Sequence, residues 1–325
     1  MGINWEPDLS VELAPHHPTG LRLANPVMIA SGTFGWDGYG SGLPANLDLH
    51  HVGAIVAKTV TMDAREGNPE PRWHPHSWRK AWPTGESIYL NSVGLTNPGI
   101  HAALEEKAPV WATWEVPVIL SIAGESISQF GTMASMAEGM PGVSAIELNL
   151  SCPNVDSGAQ FSHSPQLALD TVHAVRESTS LPVVAKLSPN VPDITAIAKA
   201  VEQAGADAIT ICNTIPAMSI DVATRIPVLG AISGGLSGPA LRPIAVALVY
   251  RAAQAVDIPI IGVGGIYSAD NALEFILAGA WAVQLGSANL TNFTMPFKVV
   301  DDLHIFMKEQ SISTLDKIRG KVWKH

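Results

Sequence analysis

The chain has 325 residues, 47% of them hydrophobic, two cysteines and a formal net charge of −10. That length can bury one large core. The acidic balance argues against nucleic acid, whose phosphates demand clustered Lys and Arg. Cys152 and Cys212 stand in dissimilar contexts and cannot build a disulfide framework, which fits a reducing cytoplasm. No apolar run approaches the roughly 18 residues of a membrane span. The start, Met1 to Glu6, has no apolar leader core and places Glu6 where a myristoylation motif wants Ser or Thr, so no membrane attachment is expected.

The first element is a hairpin: Val11-Glu12-Leu13-Ala14, a Pro15-to-Gly20 turn segment, then Leu21-Arg22-Leu23, able to cover the bottom of a barrel. Short β-rich apolar runs then recur at 26–31, 53–60, 117–122, 145–150, 182–187, 207–212, 259–263 and 282–285. Between most of them lie stretches with helical spacing, including 164–177, 193–203, 239–256 and 268–277. Alternating strand and helix means parallel strands. Eight such units in one series predict an α/β fold, a closed (β/α)8 TIM barrel forming one domain over 1–325, rather than an open doubly wound sheet. Gly205 and Gly279 each stand between a helix and the next strand, as left-handed caps do. Pro117, Pro182 and Pro259 open three strands, where a missing N–H costs no ladder bond. Two insertions break the rhythm, 61–99 after the second strand and 214–238 after the sixth. Both follow strands directly, on the catalytic face of this architecture, so long loops forming lids and substrate walls are expected there.

The residues just after the strands are chemically coherent. They are Ser31-Gly32, Lys58-Thr59, Ser121, the stretch Asn149-Leu150-Ser151-Cys152-Pro153-Asn154, Lys186, Asn213-Thr214, Gly264-Gly265 and Gly286-Ser287. The fourth group sets a thiol and two carboxamides at the end of a buried strand, with Pro153 stopping the ladder. It reads either as a base or nucleophile beside hydrogen-bonding amides, or as a buried structural cysteine in an asparagine turn. Paired glycine turns after the seventh and eighth strands suit a phosphate, because backbone amides can approach it closely; each alone is also an ordinary tight turn. Lys58 and Lys186 follow apolar neighbours, and a buried ammonium wants an anionic or electron-rich partner. Asn91, Asn149, Asn154 and Asn213 are turn formers singly but together suit a small, flat, polar molecule. His74 and His76, among Trp73, Trp78 and Trp82, lack a third ligand at a convincing spacing; they are read as loop residues, and no metal is expected.

Several motifs carry a resemblance over almost the whole chain: Ala57-Lys58-Thr59-Val60-Thr61, residues Arg65 to Arg72, Asn91-Ser92-Val93-Gly94-Leu95, Asn149 to Asn154, Ala185-Lys186-Leu187 and Gly262-Val263-Gly264-Gly265-Ile266. With them the sequence resembles the class 1 dihydroorotate dehydrogenases, FMN-binding barrels that oxidise dihydroorotate to orotate in pyrimidine (UMP) biosynthesis. Cysteine after the fourth strand is the class 1 mark; the membrane-attached class 2 enzymes carry serine there. Asn213-Thr214, Ser219 to Asp221, Pro227 to Gly230 and Gly234 to Ala240 look like the 1B branch. That branch pairs the barrel with an iron–sulfur flavoprotein and passes electrons to NAD.

The resemblance implies that the FMN phosphate lies on Gly264, Gly265, Gly286 and Ser287, with Gly238 nearby. It puts Lys58, Thr59, Asn149 and Lys186 at the isoalloxazine, and Ser31, Ser121 and Cys212 along the cofactor site. Substrate falls to Lys58, Asn91, Ser92, Val93, Gly94, Leu95, Asn149, Asn154, Asn213 and Thr214. Cys152 takes the C5 proton while hydride leaves C6 for flavin N5, from the other side of the substrate ring. Ser121 stands where relatives usually carry asparagine, and Ser287 where they carry threonine. The chain has no cysteine quartet, so FAD and a [2Fe–2S] cluster are expected only in a partner subunit, on a homodimer core within a heterotetramer. Three alternatives differ in kind. A 1A-like homodimer using fumarate is opposed by the loop after the sixth strand. A phosphate-sugar isomerase barrel would share the glycine turns but has no use for Cys152 beside two lysines. A non-catalytic flavin-binding scaffold would not need every reactive position filled.

Overall fold

Unbroken apolar runs, rather than alternating ones, mark strands buried on both faces. The computed structural model describes residues 5–44, 47–75, 88–151 and 161–324. In chain order its strands are β1 (Val11–Glu12), β2 (Arg22–Leu23), β3 (Val27–Ile29), β4 (Ala54–Val56), β5 (Trp73–His74), β6 (Tyr89–Asn91), β7 (Val118–Ile122) and β8 (Ala145–Asn149). They continue as β9 (Val183–Leu187), β10 (Ala208–Ile211), β11 (Ile215–Ala217), β12 (Ile220–Asp221), β13 (Ile226–Pro227), β14 (Gly234–Ser237), β15 (Ile260–Val263) and β16 (Ala282–Leu285). A closed, all-parallel barrel runs β3-β4-β7-β8-β9-β10-β15-β16 and back to β3. Each of its strands lies inside one of the eight predicted runs, and all are buried throughout.

The opening prolines serve the ladder with their carbonyls. Pro117, Pro182 and Pro259 accept from the amides of Ile55, Ile146 and Ile209 at 3.0, 2.9 and 2.9 Å. Helices Pro165–Arg176, Ile194–Gln203 and Ala269–Ala278 start where Ser164, Asp193 and Ser268 accept a hydrogen bond from the first-turn amides of Leu167, Thr195 and Asn271. The predicted helix 239–256 begins as a 3-10 turn, Pro239–Leu241, and becomes α-helical over Arg242–Ala253. The opening hairpin pairs Val11 with Leu23, and Leu13, Leu21 and Leu23 join the buried cluster that holds Val27 and Met28. Among the described residues no helix is long and apolar enough to cross a membrane.

The insertions depart from the loops expected of them. Each supplies two strands of one antiparallel four-stranded sheet, in the order β11-β14-β6-β5. Sequence patterning misses it because β14 reads Gly234-Gly235-Leu236-Ser237, with little β propensity. Its glycines are there for close approach: a Cβ on Gly234 would lie 2.2 Å from the Asn91 carbonyl oxygen, and one on Gly235 2.0 Å from Thr214 Oγ1. Gly235→Ala is therefore expected to split this sheet at a cost of about 1–3 kcal/mol, with the far-UV spectrum of the barrel retained. Thermal unfolding followed by circular dichroism checks this, and an unchanged midpoint would refute it.

Candidate active site

Where β3 and β4 end and β7 runs out, hydroxyls line up across the strands. Ser31 Oγ donates to the Ala57 carbonyl at 2.8 Å and sits 3.2 Å from Thr59 Oγ1, which lies 2.8 Å from Ser121 Oγ. Thr59 and Ser121 are buried. Lys58 follows β4, its amide bonded to the Gly38 carbonyl at 3.1 Å. Its aliphatic stem lies across Gly32 and Gly38; a Cβ on either would come within 3.0 and 2.8 Å of that side chain. Sequence patterning puts Lys58 and Thr59 on the tail of a strand. β4 in fact stops at Val56, and both residues occupy the following segment, before a single parallel bridge between Val60 and Ile122.

Across the mouth, Asn149 and Lys186 are register partners on β8 and β9, and Lys186 pairs in turn with Thr210 on β10. Ser151 Oγ donates to Asn149 Oδ1 at 2.8 Å, and Asn213 Nδ2 reaches both of these residues, at 3.4 Å from Asn149 Oδ1. Asn213 Oδ1 accepts from the Thr214 amide at 2.8 Å. Lys186 is buried, its Nζ 3.6 Å from Glu147 Oε1. Glu147 Oε2 accepts from Thr210 Oγ1 at 2.9 Å and from Gln284 Nε2 at 3.0 Å. Attention to strand ends alone misses Glu147, Thr210 and Gln284. Their signal is present in the sequence, since a Glu two residues before Asn149 on a strand must face the same side.

Cys212 follows β10 with its amide on the Val263 carbonyl, and it is fully enclosed. Burial pushes its thiol up to about 12, partly offset by Lys186 nearby. At pH 8 Cys212 is therefore expected to resist iodoacetamide in the native protein and to react only after denaturation, as peptide mass mapping can check. Rapid native labelling would contradict the enclosure.

The glycine turns gather at the ends of β14, β15 and β16. Gly264 and Gly265 have φ of +133° and +66°, and a Cβ on Gly265 would lie 2.8 Å from the Gly238 carbonyl oxygen. Tyr267 Oη and Ser287 Oγ, 2.8 Å apart, tie the β15 turn to the β16 turn. At Gly286, by contrast, a Cβ would meet only Ala30 Cβ at 3.7 Å, so the chain leaves room there. Among the described residues, the amides of Gly264, Gly265, Gly286 and Ser287 donate to no backbone carbonyl. Unspent N–H donors, with open space at Gly286, are a candidate cradle for an anion.

The segment 91–95 is braced from both sides. Asn91 Nδ2 lies 3.4 Å from the Gly235 carbonyl, Asn68 Nδ2 donates to Ser92 Oγ at 2.7 Å, and Arg72 Nη1 reaches Thr96 Oγ1 at 3.2 Å. Gly94 and Leu95 both take positive φ, 75° and 57°, which leucine adopts only under constraint. The amide set thus divides: Asn149 and Asn213 meet, Asn91 turns to the insertion sheet, and Asn154 lies outside the described residues with Cys152, His76, Trp78 and Trp82. Trp73 and His74 form β5.

An eight-stranded barrel with a candidate anion cradle at its last two strand ends and the buried Asn149 and Lys186 across the mouth is the architecture of α/β-barrel enzymes, whose ligands enter at the carboxyl ends of the strands. The family model for dihydroorotate dehydrogenase matches residues 15–307, and the chain belongs to that family. Similar proteins include the dihydroorotate dehydrogenase B (NAD(+)) catalytic subunit of Desulforudis audaxviator, 48% identical over 93% of this chain and 94% of that one. The proteins of the same name from Thermoanaerobacter pseudethanolicus and Geotalea uraniireducens are 44% and 42% identical, over 93% and 97% of this chain and 96% and 98% of theirs.

Proposed function

We propose that the protein oxidises dihydroorotate to orotate as the FMN-binding catalytic subunit of a class 1B enzyme, in the cytoplasm, handing its electrons to NAD through a partner subunit carrying FAD and a [2Fe–2S] cluster. The carrying observation is the pairing of the Gly264–Gly265 and Gly286–Ser287 cradle with the Asn149–Lys186 row across one barrel mouth. The residues fit FMN. The open side of Gly286 and the uncommitted amides suit one phosphate, and a buried ammonium suits the electron-rich edge of the ring.

FMN, when bound, supplies the acceptor for the hydride leaving C6. The chain does the rest. Lys58 and the 91–95 segment, with Asn149, Asn213 and Thr214, orient the substrate ring; Asn154 belongs to this set by family resemblance. Cys152 takes the C5 proton, opposite the departing hydride. The hydroxyl row Ser31, Thr59 and Ser121 and the enclosed Cys212 floor the cofactor site. Ser121 and Ser287 keep a hydrogen-bonding group where relatives differ, each already engaged with a protein hydroxyl. The names of the relatives, catalytic subunits of an NAD(+) enzyme, support an electron-transfer partner, and we place that partner on a homodimer of barrels within a heterotetramer.

Acid extraction and chromatography of the bound flavin test this reading. One FMN per chain is the expected result; recovery of FAD, or no flavin from freshly folded protein, would contradict it. A fumarate-using homodimer is distinguished by acceptor assays on the same preparation.

A further inference from the structure

Glu147 is the most deeply placed charge in the barrel, with no exposed side-chain surface, and the proposed mechanism gives it no task. Its two oxygens are treated differently. Oε2 takes hydrogen bonds from Thr210 and Gln284, on β10 and β16. Oε1 has no hydrogen-bond partner and faces Lys186 Nζ at 3.6 Å. The carboxylate is thus anchored from across the barrel by one oxygen and presents the other to the lysine. Stability alone does not call for this, since a buried ion pair is commonly no better than a well-packed apolar substitute. Something must require a charge held at that depth.

We propose that Glu147 is a positioning residue that acts through Lys186, fixing its ammonium and tempering how much positive charge the flavin ring feels. The inference rests on the reading that FMN occupies the barrel mouth with Lys186 at its N1 and O2 edge. Reduction places negative charge on that edge, and a bare buried ammonium would stabilise it strongly. With a carboxylate on its far side the lysine acts as a dipole, so the reduced flavin is held less tightly and can pass its electrons on.

Sulfite reports this field without turnover, because it adds to flavin N5 and leaves negative charge at the N1 and O2 edge. In the purified, FMN-loaded protein, Glu147→Gln keeps the shape and removes the charge, and the sulfite Kd should fall by about tenfold, as expected for unmasking one nearby buried charge. Thr210→Val removes one donor that neutralises Glu147 and should shift the sulfite Kd the opposite way, by roughly threefold. The double variant Glu147→Gln, Lys186→Met should lose the gain. A merely structural Glu147 would lower thermal stability in both single variants and leave the sulfite Kd unmoved, which overturns the proposal, as does a shift of the same sign in both. If Glu147→Gln does not fold, the sign of the Thr210→Val shift decides alone. Wild-type protein that binds no flavin would overturn the FMN reading itself; flavin bound with unmoved sulfite affinity overturns only the role of Glu147.

Discussion

Replacing Cys152 with alanine is expected to slow reduction of the bound flavin by dihydroorotate by about 10²- to 10⁴-fold, the usual contribution of a positioned general base. Cys152→Ser should fall between alanine and wild type, and both variants should retain flavin and bind orotate. The sign of the pH dependence follows from the thiolate being the base. A free thiol titrates near about 8.5, so the wild-type rate should rise with pH through the region of its thiol and then level, and Cys152→Ala should lose that rise. Stopped-flow absorbance at the flavin band measures all three. An alanine variant as fast as wild type would return Cys152 to a structural role and require another base. Cys212 is poorly suited to that task, because the side chain is enclosed and burial pushes its thiol up to about 12.

The second large effect is a switch between acceptors. The purified chain should reduce artificial acceptors with dihydroorotate and fail to reduce NAD, and adding the proposed partner carrying FAD and a [2Fe–2S] cluster should confer NAD reduction. The turn Gly262-Val263-Gly264-Gly265 lacks the third glycine and the downstream acidic ribose ligand of a dinucleotide site, so NAD is not expected to be reduced on this chain. Efficient NAD reduction by this chain alone, or rapid turnover with fumarate, would overturn the class 1B assignment and leave the barrel chemistry standing.

The barrel was legible because its strands, buried on both faces, cannot disguise themselves: a run such as Ile260-Ile261-Gly262-Val263 reads as one thing only once helices flank it. The candidate site residues at strand ends were chosen from the architecture, which fixes the end of the barrel that carries chemistry. Two features escaped. The insertion sheet did, because glycines chosen for contact carry no strand signal. Glu147, Thr210 and Gln284 did, because attention to strand ends overlooks residues one layer down, although each breaks an apolar strand with a polar side chain. The family's cofactor and substrate assignments came from motif resemblance and could not have come from periodicity.

The sheet built from both insertions also bears on when the protein becomes competent. Asn91 and Gly235 are 144 residues apart in the chain, and their strands can pair only after six of the eight barrel strands have been made. Contacts of such separation form late, because the entropy of closing the intervening chain must first be met by other contacts. In native-state hydrogen exchange the β6–β14 amides should open together and ahead of the barrel strands, as one unit spanning two distant parts of the gene product. The wall that both insertions build therefore cannot form in a half-synthesised chain, because one of its two halves is not yet present.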